Sequence, residues 1–182
     1  MKKLYPLFLV MCVASLSRSQ GLTDSARQAV SQLPFTLNLP KNEWHLAVNE
    51  APRHYIFKRN PVIDSTGRQI IPAIMVYVED ASGFQQNVSI FCSKHMQPLI
   101  DNGVTTNRML IQDDKDYPLT YRNAIFVDGK YTSRGIEHVI YLIYIIDKHN
   151  NGIQVYLDMT KEVAGVYGHE FWEVIHSIKE KD

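Results

Sequence analysis

Val139-Ile140-Tyr141-Leu142-Ile143-Tyr144-Ile145-Ile146 is the stretch that decides the fold. All but one of its residues are β-branched or aromatic, which favours an extended strand. Both alternating sets of positions are apolar. A strand with one wet face would carry polar residues at every second position, so this one requires cover on both faces and is expected at the centre of a sheet. The six residues after it, Asp147-Lys148-His149-Asn150-Asn151-Gly152, read as a hairpin turn, with Gly152 suited to positive φ. Ile153–Asp158 is then the returning strand, with Ile153, Val155 and Leu157 on one face.

Working outward, Arg108–Gln112 and Asn123–Asp128 are expected strands, separated by the acidic loop Asp113-Asp114-Lys115-Asp116. Upstream, Phe84, Val88, Phe91, Cys92 and His95 fall at helical spacing, with Ser82 able to cap the start and Pro98 to limit the end. Ile70–Val78, His54–Lys58 and Trp44–Asn49 are strand candidates, with a turn at Asp64-Ser65-Thr66-Gly67. Phe35–Leu39 alternates apolar and polar residues between Pro34 and Pro40. A short helix is predicted at Asp24–Leu33. The last element is a helix of about Gly168–Lys179 with Tyr167, Phe171, Val174, Ile175 and Ile178 on its apolar face, Gly165 and Gly168 arguing against helix before it. The pattern is α+β: a mainly antiparallel sheet covered by helices on both faces, an α/β/α sandwich.

The chain has 182 residues, 45% hydrophobic and 21% charged, an ordinary globular balance that excludes disordered and collagen-like classes. Residues 1–19 read as an export signal: Lys2 and Lys3, then the apolar run Leu7–Ala14, then small residues around Ser15–Ser19. Residues 20–34 form a lead-in and 35–182 a single sandwich domain. Cys12 raises lipoprotein anchoring as an alternative, although Met11 stands where a lipobox carries a small residue. Without residues 1–19 the chain carries 16 basic and 19 acidic side chains, a net charge of −3. That balance gives no general attraction to nucleic acid or anionic lipid, and no transmembrane segment is expected in the mature chain. The periplasm or the external medium is the expected location. Cys92 is then the one cysteine left, so the core must stabilise the domain without an internal disulfide.

Pro34–Trp44 (PFTLNLPKNEW), Ile71–Val78, Phe84–Gln97, Tyr121–Ile146 with its hairpin, and Phe171–Ile178 (FWEVIHSI) together resemble the PsbP-like family of sandwich domains, which includes the bacterial envelope protein DcrB. The resemblance covers most of Phe35–Ile178 and lies in patterns of apolar residues. It implies an α/β/α sandwich and an accessory or binding role without catalysis. It carries no functional residue onto this chain.

Candidate chemistry is sparse. His169, Glu173 and His176 stand at i, i+4 and i+7 near the C-terminus, a spacing at which imidazole and carboxylate can hold zinc. The sequence His169-Glu170-x-x-Glu173 lacks the second histidine of a zinc protease, and the helical wheel turns these residues away from Phe171, Ile175 and Ile178. Asp113, Asp114 and Asp116 lack the glycine and distal glutamate of an EF-hand. Cys92 and His95 are one helical turn apart but belong to an inward-facing stripe. Tyr121, Tyr131, Tyr141, Tyr144, Tyr156 and Tyr167 are expected to pack between sheet and helices or to line a groove. No phosphate-binding loop, nucleophile elbow or other cofactor motif is present, so no cofactor is expected. Two function classes follow: an exported, non-catalytic accessory or binding domain of the bacterial cell envelope, whose partner is an envelope protein or a small ligand; or a small exported metal-binding protein or hydrolase using His169, Glu173 and His176.

Overall fold

The computed structural model describes residues 23–40 and 43–181. The export signal and Cys12 lie outside the described residues. Strands are β1 (Phe35–Thr36), β2 (Trp44–Glu50), β3 (His54–Arg59), β4 (Val62–Ile63), β5 (Gln69–Ile70), β6 (Ala73–Asp80), β7 (Thr105–Leu110), β8 (Ala124–Ser133), β9 (Ile136–Ile146), β10 (Asn151–Thr160) and β11 (Lys179–Glu180). Helices are α1 (Asp24–Gln32), α2 (Val88–Asp101) and α3 (Lys161–Ser177).

Seven strands form one antiparallel sheet in the order β2-β3-β6-β10-β9-β8-β7. The decisive octapeptide lies in β9, as expected, but the middle place belongs to its hairpin partner β10. Cross-strand register puts Phe126, Ile143, Val155, Val76 and Tyr55 in one row across five strands. That row belongs to the core shared with α1 and α3, while Leu142, Tyr144 and Ile146 belong to the core shared with α2. The sheet is therefore covered on both faces, because β9 presents large apolar side chains to each. Every such side chain removed from water contributes about 1.5–3 kcal/mol.

The helices depart from the sequence reading in instructive ways. Ser82 does not cap α2. Ser82–Phe84 form one 3-10 turn, after which Gln85 and Gln86 take left-handed backbone (φ 51 and 60°). The chain restarts at Val88, with Asn87 Oδ1 accepting from Ile90 N at 3.1 Å. Pro98 does not end the helix either; it sits in the last turn, and Asn102 Nδ2 donates to its carbonyl at 2.7 Å. α3 begins at Lys161, seven residues earlier than expected, capped by Thr160 Oγ1. It runs through Gly165 and Gly168, whose cost of about 1 kcal/mol each is offset by burial of Val163, Phe171, Val174 and Ile175. Its end is tied to the N-terminal segment: Ser177 Oγ accepts from Asn38 N at 2.8 Å, and β11 pairs with β1. Phe35, Leu37 and Leu39 are buried as the alternation predicted, although ladder pairing stops at Thr36. The α1 segment buries Ala26 and Ala29 in the same core.

A buried ionic group joins β3 to α3. The Arg59 guanidinium, 5% exposed, donates to both Glu170 oxygens (Nη2 to Oε1 2.9 Å, Nε to Oε2 3.1 Å), pairs with Glu43 and lies 4.1 Å from the Tyr167 ring centre. Trp44 Nε1 donates to Glu170 Oε2 at 3.2 Å.

The predicted turn at 64–67 joins β4 to β5, with Gly67 at φ +82°. Asp64 accepts from Thr66 N (2.9 Å), Thr66 Oγ1 (2.7 Å), Arg68 N (2.9 Å) and Arg68 Nε (2.7 Å). The Thr66 hydroxyl foremost, with the Arg68 donors and against the opposing effect of burial, holds the Asp64 carboxyl down to about 2. A folded value below the unfolded one of about 3.9 stabilises fully above the latter, and the contribution is lost as pH falls through the folded value. Acid unfolding followed by circular dichroism is expected to show a component between about pH 4 and pH 2 that Asp64→Asn lacks. Superimposable acid curves would uncouple this turn from folding.

Candidate functional site

Along β9 the sheet has two ends, and each gathers polar side chains. At the first, the hairpin between β9 and β10 is built on Asp147. Its Oδ1 accepts from His149 N and Asn151 N at 2.8 Å each, and its Oδ2 from Asn151 Nδ2 at 2.7 Å. The left-handed residue here is Asn150 (φ 61°); the expected role for Gly152 is not needed. Two amides staple this turn to its neighbours. Gln86 Nε2 donates to Asp147 O (3.0 Å) and Asn150 Oδ1 (2.7 Å). Asn123 Nδ2 faces Gln86 Oε1 (3.0 Å), Gln86 O (3.1 Å) and Ile146 O (3.1 Å). Strained backbone at Gln85-Gln86 is thus held in place by the Gln86 side chain, and such over-determined strain concentrates at functional sites.

These staples frame a cavity of about 490 Å³, with Tyr121, Arg122, Ile146, Lys148, Lys179 and Glu180 among its walls. Tyr121 is 6% exposed, and its buried hydroxyl has no hydrogen-bond partner among the described residues. Burial, and then the Glu180 and Asp147 carboxylates, push that hydroxyl's pKa up, so it stays a neutral O–H donor. Lys148 Nζ lies 3.5 Å from Glu180 Oε1. Arg122 and Lys179 have no carboxylate partner among the described residues.

At the opposite end, Asp158 on β10 meets His138 on β9 and Tyr131 on β8. Asp158 Oδ1 is 3.0 Å from His138 Nδ1, and Tyr131 Oη donates to Asp158 Oδ2 at 3.0 Å. The Tyr131 and His138 rings stack at 4.6 Å. With Nδ1 committed to the carboxylate, His138 Nε2 is the nitrogen left for chemistry. His138 and Asp158 line a second cavity of about 340 Å³ with Ser133, Arg134 and Thr160.

The residues singled out from sequence fare differently. His169, Glu173 and His176 are all exposed on α3. His169 Nδ1 is 3.2 Å from Val166 O, and His176 lies against Trp172 at 5.8 Å between ring centres. Among the described residues no three His, Cys, Asp or Glu side chains are placed to share an ion. Asp114 closes its own loop by accepting from Ile111 N at 2.7 Å. Cys92 is buried, and burial pushes its thiol up to about 12, far from a reactive thiolate. His95 turns from Cys92 toward Glu79, with Nε2 2.6 Å from Oε1; the contact is short but not aligned as a hydrogen bond. Tyr141 and Tyr144 lie on opposite faces of β9 and pack in the two cores, as expected.

Gln86, Asn123, His138 and Asp158 escaped the sequence reading. Gln86 and Asn123 belong to no motif; their meeting depends on tertiary folding. Asp158 had a signal, since it falls on the face opposite Ile153, Val155 and Leu157, and His138 continues the alternating set of Ile140 and Leu142.

The sequence matches no protein-family model and no curated protein. Solved structures show partial likeness to this fold. PA94 of Pseudomonas aeruginosa, a protein of unknown function, is similar with a TM-score of 0.52 and 11% identity, over 81% of this chain and 98% of that one. LpqN of Mycobacterium tuberculosis, involved in cell envelope biogenesis, gives 0.47 and 12% over 78% and 79% of the two chains. A Bacteroides thetaiotaomicron protein gives 0.44 and 12% over 82% of this chain and 46% of its own. At 11% identity the likeness to PA94 is one of fold alone. Among the described residues no helix is long and apolar enough to cross a membrane.

Proposed function

We propose that this chain is an exported, non-catalytic binding domain of the bacterial cell envelope, of the PsbP-like kind, and that the cavity framed by Gln86 and Asn123 is its ligand site. Export rests on the character of residues 1–19, and the accessory role on the family resemblance. The observation that carries the binding role is the cavity itself: its walls are stapled in advance by two side-chain amides, and the Tyr121 hydroxyl in its lining has no partner among the described residues. Preorganised polar groups in a concave site are what a small-molecule pocket requires.

The test has two parts. The protein recovered from bacterial cells is expected in the envelope fraction with about 19 residues removed. Retention of the full chain in the cytosol would overturn export. Titration of the isotope-labelled protein with a periplasmic small-molecule extract should shift amide resonances around Gln86, Tyr121–Asn123 and Asp147–Asn151, and Gln86→Ala should abolish those shifts. An unperturbed spectrum would overturn the binding role.

A second reading, an exported hydrolase, is favoured by the Asp158–His138 pair, in which the carboxylate orients the imidazole for general-base work. It requires ester or amide turnover that His138→Gln abolishes without loss of fold; no turnover across a panel of nitrophenyl esters and chromogenic peptides ends it. A metal version using His169, Glu173 and His176 has less support, since their surroundings leave them on the wet side of α3. Stoichiometric zinc in the purified protein, lost on chelation and absent after His169→Ala, is what it demands.

A further inference from the structure

We infer that the cavity between the β9–β10 hairpin and β11 takes a small organic anion, a carboxylate or a phosphate monoester. The inference rests on the cavity being the ligand site and names the class of ligand that the site is built for.

Donors outnumber acceptors in its lining. Asp147 keeps its negative charge, but both its oxygens are already engaged by His149 N, Asn151 N and Asn151 Nδ2 and so are not free acceptors. Glu180 is the other carboxylate in the wall, and at 3.5 Å its contact with Lys148 is loose. Against these stand Arg122, Lys148 and Lys179. The excess is local: without residues 1–19 the chain is acidic, with a net charge of −3, so general basicity does not explain it. The Tyr121 hydroxyl adds a neutral donor that nothing among the described residues accepts. A buried donor left unsatisfied is unfavourable, and a ligand oxygen that reached it would relieve that cost. An anionic oxygen is the acceptor that suits each of these donors, through charge-assisted hydrogen bonds. The volume, about 490 Å³, leaves room beyond the charged group for a carbon skeleton, and Ile146 and the Tyr121 ring supply an apolar wall for it.

Such a group can belong to a free solute or to the head of an anionic lipid, and the experiment separates the two. The purified exported protein is titrated calorimetrically with glycerol 3-phosphate, citrate, glycerol, spermidine, and vesicles of phosphatidylglycerol or phosphatidylcholine. Glycerol 3-phosphate or citrate should bind, at least tenfold more weakly to Arg122→Glu/Lys179→Glu and severalfold more weakly to Tyr121→Phe. Lys94→Glu, a charge reversal on α2 outside the cavity's lining, should leave binding unchanged. Arg122→Gln/Lys179→Gln should weaken binding in the same direction, which separates loss of the cations from any misfolding of the reversed variant. Binding confined to phosphatidylglycerol vesicles, with the same dependence on these variants, supports the anion class and assigns its source to lipid. Glycerol or spermidine binding where the anions do not, or loss of affinity equal in Lys94→Glu, overturns the inference. If none of these probes binds yet the periplasmic extract still shifts the Gln86 and Tyr121 resonances, the anion class falls and the binding role survives. If neither happens, both fall.

Discussion

Arg59→Met is expected to lower stability by about 3–5 kcal/mol, the usual cost of removing one partner from a buried ion pair. For a chain of this length that corresponds to about 6–20 °C in Tm. The cost does not come from losing an attraction alone. Glu170 has 13% of its side chain exposed and would be left charged, with Trp44 Nε1 as its remaining donor, while Tyr167 would lose the cation it faces. Glu43 is half-exposed and can turn to water, so Glu170 determines the result. Arg59→Met/Glu170→Met removes both charges and should recover most of the loss, because a buried pair and an apolar pair of similar volume are nearly equivalent. Urea melts of the two single variants and the double variant measure this. A cost below about 1 kcal/mol for Arg59→Met would mean that water reaches Glu170 freely, and that this edge of the sheet is held to α3 by Trp44 on β2 packing against Phe171 instead.

How far sequence could anticipate this molecule depends on the range of the interactions. Strand periodicity is local, so β9, β10, β3 and the two-faced cover of β9 were all legible from residues a few positions apart. The stripe of α2 was legible for the same reason, but its start was not. The break at Gln85-Gln86 is imposed by Gln86 reaching across to Asp147, Asn150 and Asn123, residues 37 to 64 positions away. Gly165 and Gly168 weakened the expectation for the first half of α3 because propensity counts backbone freedom and takes no account of Val163 buried beneath. The cavity was illegible in the same way as the α2 start. Its residue types, two amides, a tyrosine and three cations, are common everywhere, and their significance lies in convergence from four separate segments. His169, Glu173 and His176 were legible in the other sense: the helical wheel alone turned them from the apolar face, and the fold leaves them exposed.

Function inherits that division. What sequence offered was a compartment and a family pattern, both carried by apolar runs. A chemical site needs polar groups brought together, and among the described residues two such gatherings beside cavities lie at opposite ends of β9. The hairpin end has a cavity with unmet donors; the other end has an Asp–His–Tyr cluster whose internal bonds are made. Unmet donors favour a ligand, whereas a closed cluster serves equally to clasp β8, β9 and β10. This difference ranks binding above hydrolysis.

Gly152→Ala tests how firmly the α2 layer is seated against the hairpin that carries the cavity, and it is expected to destabilise by about 1–3 kcal/mol. Gly152 does not occupy left-handed backbone, so conformation alone permits alanine, which would gain about 0.4–1 kcal/mol by restricting the unfolded chain. Sterics oppose this and win. A Cβ at Gly152 would meet Phe91 Cε2 at 2.7 Å, Phe91 Cζ at 2.8 Å and Ala81 Cβ at 3.0 Å. The Phe91 ring cannot swing aside: it is fully buried, with Phe84 at 5.2 Å, His95 at 4.7 Å and Tyr144 at 6.3 Å between ring centres. Phe91→Leu removes the obstructing atoms at its own cost in packing. In Phe91→Leu/Gly152→Ala the two losses should therefore sum to less than additive by about 1 kcal/mol or more, the signature of residues in contact. Gly152 is the second residue of β10, just after the turn held by Asp147, so a shift of β10 away from Phe91 also displaces the carbonyl that Gln86 grips. Gly152→Ala should accordingly weaken binding at the cavity as well as lower the melting temperature, and the double variant should restore part of both. A neutral or stabilising Gly152→Ala with unchanged binding would show slack between Phe91 and β10, and α2 would then have no mechanical claim on the site.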